Sequence, residues 1–175
     1  MNDTLPVVYV SILLLILGVV AIFLFRQIFR SRRVESRFSQ LQNQLKNGKG
    51  TAQEYYELAS LYLDKKLFVQ AVQLLQKGLK TGEEIEQENQ ALMYNALGFA
   101  YFSQEQYDIA IRHYKEAIKL YPEYAIALNN LGNVYEKKQL VSQALECYRK
   151  TLEIEANNKV AKKRVESLEK RLVTK

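Results

Sequence analysis

Cysteine and histidine each occur once in these 175 residues, proline twice and glycine seven times. One cysteine excludes a disulfide framework and a multi-thiolate zinc site, and Cys147 reads as a reduced thiol in a reducing compartment. The lone His113 has no second histidine or cysteine to join it in a metal cluster. No Ser/His/Asp or Cys/His arrangement stands apart from background, so neither catalysis nor a cofactor is expected and the chain is not read as an enzyme. The scarcity of glycine and proline excludes collagen-like and low-complexity chains.

A long basic stripe is missing as well. The net charge of +6 divides into +5 over residues 1–50, −4 over 51–158 and +5 over 159–175. No run of cations with interleaved aromatics tracks a phosphate backbone, so nucleic acid is not an expected partner, and no small-molecule substrate is indicated.

What is present begins with an apolar run. Residues 5–25, LPVVYVSILLLILGVVAIFLF, carry no charge. At about 1.5 Å rise per residue, a helix of that length crosses a hydrocarbon core roughly 30 Å thick. A cleavable signal peptide is the weaker reading, because the run is too long, a positive leading region is missing and no small-residue cleavage pattern follows. Arg26, Arg30, Arg32, Arg33 and Arg37 come next, whereas only the terminal amine and Asp3 precede. That asymmetry predicts an N-terminus in the lumen or periplasm and the bulk of the chain on the cytoplasmic or stromal side. Orientation alone accounts for these arginines, without a separate grip on anionic lipid. Residues 1–25 are thus a luminal stub and transmembrane helix. Residues 26–50 follow as a basic juxtamembrane amphipathic helix with the stripe Val34, Phe38, Leu41 and Leu45, ended by Gly48 and Gly50.

The stretch 51–158 repeats itself. NALGFAYFSQEQYDIAIRHYKEAIKLYP, from Asn95, recurs in outline as NNLGNVYEKKQLVSQALECYRKTLEIEA from Asn129. A fainter copy, YELASLYLDKKLFVQAVQLLQKGLK, starts at Tyr56 and aligns with the copy that starts at Asn95. That first interval is longer than the second by five residues, which are inserted in the acidic stretch 83–90. Tyr55, Leu58, Ala59 and Tyr62 fall on one helical face, as do Tyr94, Leu97, Gly98 and Tyr101, and Leu128, Leu131, Gly132 and Tyr135. Small residues recur where two backbones must approach: Ala71, Ala110 and Ala144 on each second helix, opposite Ala59, Gly98 and Gly132.

The interval from Asn95 to Asn129, with this pattern, resembles the tetratricopeptide repeat, a helix-turn-helix unit with a period of about 34 residues. The resemblance covers residues 52–158, in units 52–85, 91–124 and 125–158. The expected fold is all-α: an N-terminal transmembrane helix, an α-solenoid of three repeats, and a capping helix over 159–175 with the stripe Val160, Ala161, Val165, Leu168 and Leu172.

In that family the first helix of each unit lines a concave side. The resemblance therefore places Gln53, Tyr56, Ser60 and Leu63, then Leu92, Asn95, Phe99 and Phe102, then Ile126, Asn129, Asn133 and Glu136 in a groove that binds protein. Those positions contain no Lys or Arg, so a clamp for the carboxylate tail of a chaperone is not expected. The order of parts, with the MNDTLP start and the RQIFRSRR juncture, resembles the membrane-anchored tetratricopeptide proteins of cyanobacteria and plastids that assist photosystem I assembly. The resemblance implies a thylakoid protein that holds photosystem I subunits or assembly factors, anchored in the bilayer by one helix. The competing class is a bacterial envelope scaffold that recruits a soluble partner to the membrane.

Overall fold

The computed structural model describes residues 4–82 and 84–173, apart from the side chains of residues 4–7, Arg30 and Val173. Met1–Asp3 of the N-terminal stub, Glu83 at the end of the first repeat, the Arg30 side chain and the last two residues of the capping segment lie outside the described residues. The chain divides into two compact units, Met1–Asn47 and Gly48–Lys175.

In the first unit, α1 (Thr4–Leu45) is one helix of 42 residues. The expected division near residue 25 leaves no break, because neither proline nor glycine interrupts the chain between Gly18 and Gly48. At about 63 Å it is twice the thickness of a hydrocarbon core. Its apolar part reaches a mean hydropathy of 3.0, so α1 is long and apolar enough to cross a membrane.

The second unit contains α2 (Ala52–Asp64), α3 (Phe68–Gly78), α4 (Gln87–Ser103), α5 (Tyr107–Leu120), α6 (Ala125–Lys137), α7 (Val141–Ile154) and α8 (Lys159–Val173). Thr51 starts α2 with a capping box: its hydroxyl accepts from the Glu54 N–H at 3.2 Å, and the Glu54 carboxylate accepts from the Thr51 N–H at 3.0 Å. The first and second helices of each repeat are joined by the same turn. Lys66, Glu105 and Gln139 adopt left-handed φ values of 59°, 60° and 61°. The N–H groups of Leu67, Gln106 and Leu140 then donate to the carbonyls of Tyr62, Tyr101 and Tyr135 at 2.8, 2.9 and 2.9 Å. Three identical turns, in the register that the sequence period sets, make the unit an α-solenoid of three hairpins closed by α8.

The small residues sit where helices meet. Ala59, Ala71, Ala110 and Ala144 are fully buried, and Leu75, Tyr114 and Tyr148 fill the spaces between helices. A Cβ on Gly98 would lie 2.6 Å from Tyr114 Cε1, and one on Gly132 would lie 2.8 Å from Tyr148 Cε1. Glycine at these two positions lets an aromatic ring lie directly on the neighbouring backbone. Two differences from the sequence reading stand out. Tyr62, Tyr94 and Tyr101 are only partly buried, whereas Met93, Ala96 and Ala100 are buried off the expected stripe. For the α4 residues the reason is that α4 is the central first helix, with α3 and α5 packed against it and α2 and α6 flanking it.

On α8, Ala161 and Leu168 join the cluster formed by Leu145, Cys147 and Tyr148, while Val160 and Leu172 of the expected stripe remain exposed. Asn158 caps the helix by accepting from the Ala161 N–H at 3.0 Å. Burial, aided by the Glu146 carboxylate, pushes the Cys147 thiol up to about 11, so it stays protonated and a poor nucleophile.

His113 of α5 lies between two tyrosine rings of α4, with centroid distances of 6.0 Å to Tyr94 and 5.2 Å to Tyr101. Burial and then the Arg112 charge hold its pKa below the ordinary 6.5, against the opposing pull of Glu116. As pH falls below 6.5 the unfolded chain takes up a proton that the folded chain refuses, so this group contributes stability above that pH and loses it on acidification. The fall in melting temperature between pH 7.5 and pH 5.5 should therefore be smaller in His113→Gln than in the parent. An equal fall in both would remove His113 from the acid response.

Candidate protein-interaction site

The first helices α2, α4 and α6 adjoin one another and form one continuous face. All twelve residues expected on that face retain exposure, but the structure sorts them into two groups. Some are held by the fold. Asn95 Nδ2 donates to the Tyr124 hydroxyl at 3.3 Å, and Asn130 Nδ2 donates to Asn95 Oδ1 at 3.0 Å, which ties α4 to the start of α6. Tyr56 lies close enough to Tyr124 to raise the latter's hydroxyl pKa, which burial chiefly pushes up to about 12. Glu136 accepts from the Tyr148 hydroxyl at 2.7 Å and faces Arg164 Nε at 3.6 Å. Phe102 packs on Tyr107 at a centroid distance of 5.7 Å beside the C-terminal core, Leu63 beside the N-terminal core and Leu92 beside Tyr124 and Ala127. The Ser60 hydroxyl is spent on the Tyr56 carbonyl of its own helix at 2.9 Å.

The others are offered outward. Phe99 is 42% exposed, with its ring edge-on to Phe68 at 6.4 Å, and Ile126 is 57% exposed. Gln53 is exposed and Asn133 half-buried. Asn129 stands apart: the residue is only partly buried, yet its Oδ1 is shut from solvent and has no hydrogen-bond partner among the described residues. An orphan acceptor of this kind costs about 1–3 kcal/mol. Of the basic residues expected to orient the chain, Arg26, Arg32 and Arg33 lie exposed along α1 and Arg37 is partly buried.

Sequence reasoning missed Tyr124 and Asn130, which hold Asn95, and the residues Ile85, Asn89 and Met93 near the five-residue insertion. The only available signal was the insertion itself.

Phe99, Ile126, Asn129 and Asn133 suit an apolar segment with unsatisfied backbone groups, which is the chemistry of peptide binding. The architecture is that of a tetratricopeptide-repeat protein, a class of protein-interaction scaffold. The profile described as TPR repeat matches residues 98–139, and the tetratricopeptide repeat profile matches 125–158. The chain belongs to the ycf37 family. It is 34% identical to ycf37 of Guillardia theta over 99% of this chain and 97% of that protein. It is 35% identical to the chloroplastic tetratricopeptide repeat domain-containing protein PYG7 of Arabidopsis thaliana, over 94% of this chain and 54% of that one. Among solved structures, MamA superposes with a TM-score of 0.70 at 25% identity, covering 79% of each chain. These relatives form the group to which the sequence resemblance pointed.

Proposed function

We propose that the chain is a thylakoid scaffold in which α1 spans the bilayer with its N-terminus in the lumen. The repeats then stand on the stromal or cytoplasmic side and hold photosystem I subunits or assembly intermediates on the face of α2, α4 and α6. The observation that carries the binding role is the unpaired Asn129 Oδ1 beside exposed apolar residues of the same face. The membrane role rests on the apolar length of α1 and the arginines that follow its apolar part. The photosystem assignment rests on the family and on the chloroplast location in the name of the Arabidopsis relative.

The test is affinity capture of the tagged full chain from detergent-solubilised thylakoids of a photosynthetic host, beside the variant Phe99→Ser/Asn129→Ala/Asn133→Ala. The parent should bring down photosystem I subunits. The variant should accumulate to the parental level and bring down about tenfold less, since each substantially buried Phe contributes roughly 1.5 kcal/mol or more. Parental yield from the variant moves the working surface elsewhere. A parent that never captures these subunits replaces the photosystem role with recruitment of a soluble partner in a bacterial envelope. In sealed vesicles, protease added from the stromal or cytoplasmic side should digest the repeats, and their protection would reverse the orientation.

A further inference from the structure

Tyr56 and Asn95 hold equivalent places in the first and second repeats, as Asn95 and Asn129 do in the second and third, and the first interval is longer by five residues. The structure shows what those extra residues build. They lengthen the connection from α3 and add a leading turn to α4, which begins at Gln87. Between this insertion and the start of α2 opens a cavity of about 520 Å³, whose walls include Gln53 and Tyr56 from α2, Glu84 and Ile85 from the connection, and Asn89 and Leu92 from α4. Its size falls in the range that accepts a small ligand or a bulky side chain. Tyr56, Ile85 and Leu92 supply apolar walls, and Glu84 is the one charged residue among the described residues of the lining. The adjoining sequence has the same sign: from Thr81 to Asn89 there are four Glu and no Lys, Arg or His.

Resting on the scaffold reading and narrowing its partner, we propose that this pocket takes an apolar side chain of an extended peptide whose neighbouring residue is Lys or Arg. The apolar walls remove the side chain from water, and the carboxylate field around Glu84 favours a cation beside it and repels an anion. Gln53 and Asn89 are both lining residues, and the Asn89 amide is positioned by donating to Glu86 at 3.2 Å. Such amides pair with backbone N–H and C=O groups, which an extended segment offers and a helix has already spent on itself. The same charge disfavours an acidic peptide or a phosphate-bearing surface.

The probes are three fluorescein-labelled decapeptides, identical except for a central Lys-Leu-Lys, Lys-Ser-Lys or Glu-Leu-Glu, titrated by anisotropy against the full chain in neutral detergent at low salt. The Lys-Leu-Lys peptide should bind about tenfold more tightly than either of the others, a preference that narrows as salt is raised. Glu84→Lys, at an exposed position, should cancel the preference for Lys over Glu while leaving the melting temperature unchanged. Leu92→Ser should cancel the preference for Leu over Ser; should it unfold, Glu84→Lys decides alone. Equal binding of all three peptides, binding of none, or a charge preference that survives Glu84→Lys overturns the pocket. The two readings fail separately. If subunit capture depends on Phe99, Asn129 and Asn133 while the peptides are not discriminated, the face of first helices stands and this pocket falls. If the peptides are discriminated through Glu84 while the triple variant still captures subunits, the pocket stands and the proposed binding face falls.

Discussion

Replacing Gly98 with leucine should unfold the repeat unit. Its Cβ position lies 2.6–2.9 Å from three atoms of the Tyr114 ring, and that ring is itself 1% exposed with no space to retreat into. Tyr114 packs with Leu131, Val134 and Tyr148 in the C-terminal core, so any shift of its ring is felt across two repeats. Overpacking a core by a few methylenes costs about 1–3 kcal/mol, and a whole side chain against a rigid ring belongs at or beyond the upper end. Total stability of a domain is only about 5–15 kcal/mol, so the melting temperature should fall by roughly 10 °C or more, to the point of no cooperative transition. In detergent the far-ultraviolet circular dichroism should keep the contribution of α1, which is a separate unit, and lose that of α2 to α8. A variant that melts with the parent means that α4 and α5 are not in the contact described.

Leu168→Ala should have the second largest effect, because it tests whether α8 closes the stack. Leu168 is 1% exposed among Ala144, Leu145 and Tyr148, and with Ala161 it supplies the fully buried part of α8's core face. Truncating such a leucine costs about 2–5 kcal/mol, which combines lost burial with the cavity left behind. The polar ties around it are weak substitutes. Arg149 and Glu169 meet at 2.6 Å with both side chains about half exposed, which adds at most about 1 kcal/mol. A repeat array melts from its least stable end, so losing the cap should lower the melting temperature of the whole unit and broaden the transition. Melting unchanged within about 2 °C would make α8 an appendage rather than a cap.

The repeat was legible because its information is local and recurs. A residue pattern at i, i+3, i+4 and i+7 fixes which side of a helix is buried, and the interval between copies then fixes which helices are equivalent. Leu58, Leu97 and Leu131, and the alanines opposite Ala59, Gly98 and Gly132, are buried for that reason. The apolar span was legible from length and absence of charge alone. Helix α4 was read less well, since its burial depends on flanking helices that its own periodicity does not record: Met93, Ala96 and Ala100 look like a second, superfluous apolar side until α2 and α6 are in place.

The amino-acid sequence by itself determined the all-α class, the three equivalent hairpins, the apolar N-terminal helix and the set of first-helix residues left outside the core. Only the tertiary structure decided which of those residues are occupied by other segments of the chain. Asn95 and Glu136 have the same local pattern as Asn129 and Asn133, yet Asn130 and Tyr124 occupy the first, and Tyr148 and Arg164 occupy the second. Neither partner of Asn95 lies on α4, which carries it, and neither partner of Glu136 lies on α6, which carries that residue. The pocket at the five-residue insertion arises the same way, from the start of α2 meeting a connection that the chain reaches only after completing the whole first hairpin. Helical periodicity encodes the side a residue faces, and the partner it meets there is set by chain segments that only folding brings together.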